Sequence, residues 1–182
     1  MRKHQHISSH FWHNGLSLNS NSIISLRDSG FKGFHTVQNL TETNCAEVPD
    51  TMGVYVVLST NTNVSFLSES TGGHFKGRNP AVPISELEKN WVHESEIVYI
   101  GKAGGFNSKA TLKKRLRQYM RFGQGVAVGH WGGRYIWQLQ HSADLVVCWK
   151  PISDTEPKLV ESDMIQKHVI LYGMRPFGNL TG

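Results

Sequence analysis

Three short runs of β-branched and aromatic residues constrain most strongly how this chain can fold. They cover residues 53–58 (GVYVVL), 97–100 (IVYI) and 145–149 (LVVCW). Side chains of these types pack well on a pleated surface, and runs of this length are typical of buried strands. We therefore predict three strands, the second of them closed by Gly101.

Two further segments have the spacing of helices. In 112–122, apolar residues recur at helical spacing at positions Leu112, Leu116, Tyr119 and Met120. A later helix is predicted to begin near Asp154 or Thr155, either a suitable N-cap, with Pro157 in its first turn. It should end at Tyr172, because a glycine follows. The order strand, strand, helix, strand, helix predicts a small α+β domain.

The length of 182 residues suffices for one domain with a proper core. Residues 1–47 are rich in Ser, Asn, Thr and His, so we predict an N-terminal extension that is irregular or carries one or two short elements. The main domain covers 48–182. Within it, 59–96 is a long polar insertion between the first two strands, and such loops are usually functional or contain small elements of their own.

Charge and cysteine content narrow the class of partner and the compartment. Lys and Arg outnumber Asp and Glu by 19 to 14, a formal charge of +5, which favours a phosphate-rich partner such as DNA. Cys45 and Cys148 lie far apart without metal-ligand spacing, so a reducing cytoplasm is the expected location. We find no signal peptide and no apolar run that could cross a bilayer, and expect no membrane partner.

Glu161 occupies an unexpected place in the last predicted helix. The apolar stripe of this helix consists of Val160, Met164, Ile165, Leu171 and Tyr172. Glu161 falls inside that stripe rather than on the solvated face. An ionised carboxylate is costly to bury unless it is paired or binds a metal. Glu161 is therefore a candidate metal ligand, and the alternative is a position at the rim of the core, where the carboxylate either extends to solvent or pairs with an arginine.

Arg115 is placed in a similar way on its own helix. It lies beside Leu112 and Tyr119, near the packed face, whereas the other cations of the helix cluster on one solvated side. Since residues four apart on a helix meet, Arg115 and Tyr119 are neighbours. A guanidinium held against the core is suited to binding one phosphate. The alternative is a buried ion pair, for which Glu161 is one candidate partner.

Five segments along 48–182 form an ordered set of motifs. In chain order they are 53–55 (GVY), 99–103 (YIGKA), 112–116 (LKKRL) followed by Tyr119, 161–165 (ESDMI) and 175–179 (RPFGN). Together they resemble the motifs of the GIY-YIG nucleases. The third is similar to the arginine helix of the excinuclease branch of the family. Each segment alone is a weak signal, but five in the right order are a strong one.

This resemblance implies a three-stranded antiparallel sheet flanked by helices, and hydrolysis of phosphodiester bonds in DNA. It implies one Mg²⁺ (or Mn²⁺) ion on Glu161. The other site residues that it implies are Tyr55 and Tyr99 lining the site, Lys102 and Arg115 on the phosphate, Tyr119 assisting and Asn179 bracing the pocket. We expect Tyr55 rather than Tyr99 to be the general base, because Tyr55 lies within its strand and is held more rigidly.

Three features depart from the family pattern. The insertion 59–96 is several times longer than the turn of minimal members, and the connection from Ala103 to Leu112 is extended. Position 119 is tyrosine where other branches carry histidine, which leaves open how a proton is relayed. None of these features removes a catalytic group.

Two glycine-rich stretches carry cations that suit a nucleic acid partner. Lys76 and Arg78 lie in 72–80 (GGHFKGRNP), and Arg134 ends 129–134 (GHWGGR). Glycines let a backbone come close to a ligand, and the cations offer contacts to phosphate. The alternative for these stretches is an ordinary solvated surface.

The predicted activity is therefore that of a metal-dependent DNA endonuclease, in the form of a free-standing restriction-type enzyme. The alternative is a non-catalytic nucleic-acid-binding module on the same fold. One active site cuts one strand, so a double cut would require a homodimer or two sequential events.

Overall fold

The computed structural model describes residues 21–61 and 63–180, so the first twenty residues of the predicted extension lie outside it. In the described part, the helices are α1 (Asn21–Asp28), α2 (Val37–Glu42), α3 (Ile84–Asn90), α4 (Leu112–Gly123) and α5 (Pro157–Tyr172). The strands are β1 (Lys32–Thr36), β2 (Gly53–Leu58), β3 (Ile97–Ala103) and β4 (Val146–Pro151). Two short 3₁₀ segments, Trp131–Gln138 and Ser142–Asp144, connect α4 to β4. The α+β class is thus confirmed.

The strands form one antiparallel sheet in the order β1-β4-β2-β3. The prediction of three strands is wrong, because β1 from the N-terminal extension adds a fourth beside β4. Its sequence, KGFHT, has no apolar run, and its backbone turns to positive φ at Gly33 and Phe34. The register shifts between Gly33 and His35. A strand so irregular has no alternating pattern by which the sequence alone could reveal it.

The same extension contains more regular structure than predicted. Its described residues include α1, β1 and α2, three short elements where we expected one or two. Thr36 caps α2, since its hydroxyl accepts a hydrogen bond from the backbone N–H of Asn39. Val37 and Leu40 of α2 are buried in the main core. Residues 21–47 of the extension are therefore part of the domain rather than an appendage to it.

The central strand β2 is covered on both faces, and all six of its residues are buried. Tyr55 and Val57 belong to the larger core, together with α4 and the 3₁₀ segment Trp131–Gln138. Val54 and Val56 point to the opposite face, where residues of α1 and α5 pack. A strand buried on both faces needs apolar residues throughout, which explains the continuous run that predicted it.

The predicted helices are close to those observed. Helix α4 begins at Leu112, and α5 ends before Gly173, whose φ of 72° lies in the left-handed region. The start of α5 was placed too early. It begins at Pro157 with Glu156 at the N-cap, not with Asp154 or Thr155 in that place.

The end of the second predicted strand was also wrong. β3 does not close at Gly101 but continues to Ala103, paired with β2 throughout. Gly101 stands opposite Tyr55, and the ring of Tyr55 crosses directly over it. A Cβ at position 101 would lie 2.4 Å from Cζ of Tyr55, so this glycine makes room for the tyrosine rather than ending the strand.

The insertion 59–96 folds back onto the domain. It contains α3 and a turn in which the backbone N–H and C=O groups of Phe75 and Arg78 exchange hydrogen bonds. Gly73 approaches the backbone of Val126 so closely that a Cβ would lie 2.1 Å from its carbonyl oxygen. The insertion therefore packs against the stretch that follows α4.

The segment after α5 runs along β3, which is one of the two edge strands of the sheet. The N–H of Gly178 donates to the carbonyl of Val98 at 2.7 Å. The side-chain amide of Asn179 accepts from the N–H of Ile100 at 2.9 Å and donates to its carbonyl at 2.8 Å. These bonds satisfy the backbone of an edge strand that would otherwise be unpaired. Among the described helices, none is long and apolar enough to cross a membrane.

The close approach of Tyr55 to Gly101 predicts the effect of a single added methyl group. We expect Gly101→Ala to lower the free energy of unfolding by about 1–3 kcal/mol, the usual cost of overpacking a core. Urea denaturation measures this. Gly132→Ala is the matched control, because its Cβ would have its nearest neighbour, the Tyr99 hydroxyl, at 3.9 Å. Equal stability of the two variants would contradict the steric role of Gly101.

Candidate active site

Three predicted tyrosines come together on the α4 face of the sheet. The ring centroid of Tyr55 lies 5.9 Å from that of Tyr99 and 6.3 Å from that of Tyr119. The Tyr99 and Tyr119 centroids lie 5.8 Å apart. The register explains the first pair, since Tyr55 stands opposite Gly101 and Tyr99 opposite Val57, which puts both rings on one face. The fold therefore gathers residues that are far apart in the chain.

The two strand tyrosines differ in their surroundings. Tyr55 is fully buried and Tyr99 is 7% exposed. Burial raises the pKa of Tyr55 well above its ordinary value, and the Tyr99 hydroxyl adds to this while the charge of Arg115 opposes it. Burial also raises the pKa of Tyr99, opposed by the Tyr55 hydroxyl and by Arg115. Arg115 thus acts on both phenols in the direction that favours their ionisation.

His130 belongs to this cluster, although no sequence pattern singled it out. Its Nε2 lies 3.2 Å from the hydroxyl of Tyr55. Its ring stacks on Tyr119, with centroids 4.3 Å apart and planes inclined by 28°. His130 is fully buried, and burial, reinforced by the charge of Arg115, lowers its pKa to about 3. A lone histidine in a glycine-rich stretch has no periodicity, so only its tertiary contacts identify it.

The interior of the cluster holds polar atoms without partners. Within the described residues, the Tyr119 hydroxyl and Nδ1 of His130 are buried and make no hydrogen bond. Leaving such a group unpaired costs about 1–3 kcal/mol. Unpaired polar groups of this kind are uncommon in native proteins, so these atoms call for a partner other than the described residues, such as a water, an ion or a substrate.

Arg115 extends from α4 beside this cluster. Its side chain is half-buried, and Nη1 donates to the carbonyl of Gly129 at 3.5 Å. In the described part of the chain, no carboxylate lies within ion-pair distance of it. The predicted alternative, a buried ion pair with Glu161, is therefore not formed. The guanidinium is held by its helix and has capacity left for an anion.

Lys102 lies close enough to Glu161 for its charge to act on the Glu161 carboxylate. Lys102 stands opposite Val54, whose side chain faces α5, and so points toward the helix that carries Glu161. Burial raises the pKa of Glu161, and the charges of Lys102, Arg115 and Lys158 oppose that rise. The Glu161 carboxylate forms no ion pair with any described residue. Glu161 is thus a partly desolvated carboxylate. Lys102 and Arg115 act on its charge but form no ion pair with it.

The donor set fits a hydrated magnesium ion better than a metal enclosed by protein. No group of three or more His, Cys, Asp and Glu side chains gathers anywhere in the described ranges. Mg²⁺ is commonly held by one or two carboxylates, with waters and substrate phosphate completing its shell. The single carboxylate of Glu161, close to Arg115 and Lys102, suits an ion that arrives with a phosphate.

Three other predicted residues lie on segments outside the tyrosine cluster: Asn179, Lys76 and Arg78. Asn179 braces β3 through Ile100, the residue after Tyr99. Lys76 and Arg78 are exposed on the insertion turn. The ring of Phe75 in that turn lies 3.5 Å from where a Cβ of Gly129 would be, next to His130.

Arg134 is placed differently from the other two predicted DNA contacts. Its guanidinium lies 5.1 Å from the ring centroids of both Trp131 and Tyr135. Such stacking orders the side chain and leaves the edge of the guanidinium available for hydrogen bonds. Its role in nucleic acid binding stays a prediction.

Comparison with models of known protein families, with curated proteins and with solved structures yields no match for this chain. The proposed function therefore depends on the geometry of the site and on the motifs that carry it.

The buried histidines predict how stability depends on pH. Burial lowers the pKa of both His130 and His168, so below about pH 6.5 the unfolded chain binds protons that the folded chain does not bind. The free energy of unfolding should therefore keep its full histidine contribution above that pH and fall as the pH decreases. At pH 5.5 the loss from His130 should be about 1.4 kcal/mol.

Urea denaturation at pH 7.5 and 5.5 measures this loss, with His130→Gln and His168→Gln as comparisons. The raised pKa of Glu161 acts in the opposite direction, so the difference between each variant and the wild type isolates the histidine. An unchanged pH dependence in both variants would contradict burial as the cause.

Proposed function

We propose that this chain is a metal-dependent endonuclease of the GIY-YIG type that hydrolyses phosphodiester bonds in DNA, and that it acts as a free-standing restriction-type enzyme. The observation that carries the proposal is the partly buried, unpaired carboxylate of Glu161 beside Lys102 and Arg115 in the described structure. The charge of Arg115 acts on both Tyr55 and Tyr99, and the charge of Glu161 acts on Tyr99. A carboxylate, two cations and phenols are the groups that metal-assisted phosphodiester hydrolysis requires.

Arg115 and Lys102 would bind the scissile phosphate. Arg115 is fixed near the tyrosines by α4, and Lys102 by the end of β3. Their charges offset the negative charge that develops on the phosphoryl oxygens in the transition state. Because neither cation is engaged by a carboxylate within the described residues, no existing ion pair has to break when the phosphate binds.

Glu161 would hold the Mg²⁺ or Mn²⁺ ion. When bound, such an ion polarises the phosphate and stabilises the leaving oxygen. The Glu161 carboxylate by itself would repel an incoming phosphate, and it also tends to raise the pKa of Tyr99. Both effects are lessened when the carboxylate is neutralised by a cation.

A tyrosine would take the proton of the attacking water. A free phenol has a pKa of about 10, so it serves as a base only where cations favour its ionised form. Arg115 has that effect on both Tyr55 and Tyr99. We assign the role to Tyr55, which β2 and Gly101 hold rigidly, and expect Tyr99 to orient the water and the phosphate.

The alternative is a module that binds nucleic acid without cutting it. A site that only bound phosphate would gain from Arg115 and Lys102 but would lose affinity through the unpaired Glu161. The desolvation of that carboxylate is costly and serves no structural ion pair among the described residues. This cost favours the catalytic proposal.

Glu161→Gln should abolish magnesium-dependent cleavage of supercoiled plasmid while leaving the protein folded. Since Glu161 has no ion-pair partner in the described structure, the variant should be as stable as the wild type or slightly more so. Plasmid nicking with and without Mg²⁺ measures the first effect, and urea denaturation the second.

Asp163→Asn is the matched control, because Asp163 lies on the exposed side of the same helix in an ion pair with Lys167. It should cleave normally. Cleavage by Glu161→Gln at the wild-type rate would rule out the metal role, and unfolding of that variant would indicate a structural role instead. Gel products of the wild type also distinguish nicking, a double cut and simple retardation, and a double cut would indicate a homodimer or two sequential events.

Lys76 and Arg78 are proposed to contact the DNA backbone. They are exposed on a turn that packs against Gly129, near the phosphate-binding Arg115. Each phosphate contact releases condensed counterion. The double alanine variant should flatten the plot of log affinity against log salt by about one unit per lost contact.

Equilibrium binding at several salt concentrations tests this, on duplexes of different sequence. Binding should weaken about equally on all of them, and the cleavage rate at saturating DNA should stay nearly unchanged. Lys32→Ala is the control, because Lys32 lies on β1 at the opposite edge of the sheet. An unaltered slope of log affinity against log salt would indicate that the turn is an ordinary solvated surface without phosphate contacts.

A further inference from the structure

We infer that His130 is a further catalytic residue, which accepts the proton of Tyr55 when the phosphodiester is attacked. The inference rests on the proposed nuclease function and concerns the same site. Neither the spacing of the motifs nor the charge pattern of the chain pointed to this residue. Its contacts with the tyrosine cluster identify it.

The first observation is the geometry between the two side chains. The Tyr55 hydroxyl lies 3.2 Å from Nε2 of His130, within hydrogen-bond distance. With Tyr55 as the donor, Nε2 carries the lone pair and Nδ1 the proton. A base must be within such reach of the proton that it removes. The imidazole is therefore already aligned with the phenol that we assign as the base.

The second observation is that the imidazole is held in place by more than this bond. Its ring stacks on Tyr119 at 4.3 Å and meets Tyr99 edge-on at 6.4 Å. His130 is fully buried, yet its Nδ1 has no partner among the described residues. A purely structural histidine would be expected to satisfy both ring nitrogens, as His168 does with Ser95 and the carbonyl of Met174.

The third observation concerns charge. The titratable and charged groups that face His130 are Tyr55 from β2, Tyr99 from β3, and Tyr119 and Arg115 from α4. Burial is the larger cause of the low pKa of His130, and the charge of Arg115, the cation among these groups, adds to it. A DNA phosphate bound to Arg115 would offset that second contribution. His130 would therefore be a stronger base in the complex with DNA than in the free protein.

Access to the phenol sets one requirement. Tyr55 is fully buried, so the attacking water can reach its hydroxyl only after a local movement of side chains that cover it. The proton transfer requires that the hydrogen bond between the Tyr55 hydroxyl and Nε2 of His130 persist during that movement.

Each proton in this reaction has a donor and an acceptor. Tyr55 passes its hydroxyl proton to Nε2 of His130, and the phenolate oxygen takes a proton from the attacking water. The resulting hydroxide oxygen forms the new bond to phosphorus, and the bond from phosphorus to the leaving oxygen breaks. The leaving oxygen receives a proton from solvent, and His130 returns its extra proton to solvent. No oxidant or further reactant is needed.

The test compares single-turnover cleavage at saturating DNA in three variants. His130→Gln can keep a hydrogen bond to Tyr55 but cannot accept its proton, so the rate should fall about 100-fold or more, the usual contribution of a general base. Binding of DNA in EDTA should be unchanged. His130→Ala should fall similarly and regain activity with added imidazole, in proportion to the unprotonated form. His141→Ala, at an exposed position, should cleave like the wild type.

A folded His130→Gln variant with the wild-type rate would overturn the inference. If that variant does not fold, NMR titration of the wild-type imidazole nitrogens decides. Adding duplex DNA in EDTA should raise the pH at which His130 takes up its proton, and an unchanged titration would overturn the inference. If the wild type cuts no DNA with Mg²⁺, the proposed nuclease function fails, whereas the other outcomes concern His130 alone.

Discussion

The packing of the Tyr55 ring over Gly101 is the contact on which the rest of the site depends. It requires β2 and β3 to be paired in one register, because a shift by one residue would send Tyr55 to the opposite face. It also requires that position 101 have no side chain. From this contact follow the closeness of Tyr55 to Tyr99 and the position of Lys102, one residue further along and facing α5. One cross-strand pair thus organises groups on both faces of the sheet.

The electrostatics of the site are arranged around charges that stay unpaired. Glu161 is partly desolvated near Lys102 and Arg115, but it forms no ion pair with either of them in the described structure. A stable protein usually neutralises buried charges, so this arrangement costs stability, and the proposed phosphate substrate and metal ion would offset that cost on binding. The insertion contributes to the same region, since Phe75 packs toward Gly129 next to the residues that cover Tyr55. Its length therefore has a structural consequence at the site.

Much of the fold was predictable because local signals were strong. The run that became β2 is buried on both faces and is therefore continuous, and α4 has a clear apolar face. Strand β1 was missed because its positive φ angles and register shift leave no alternation to detect. The end of β3 was misplaced because a glycine usually interrupts a strand, whereas Gly101 lies within one to accommodate a ring from its neighbour.

The sequence by itself determined which residue types are available and where they stand along each element. It placed Glu161 on an apolar stripe and Arg115 next to Tyr119, because helical periodicity is a local property. Only the tertiary structure decided which of these groups meet and in what electrostatic state. It showed that Arg115 and Glu161 form no ion pair, and it brought His130 onto Tyr55 across 75 residues of chain. Such contacts depend on strand register and on how loops pack, and no local pattern encodes them.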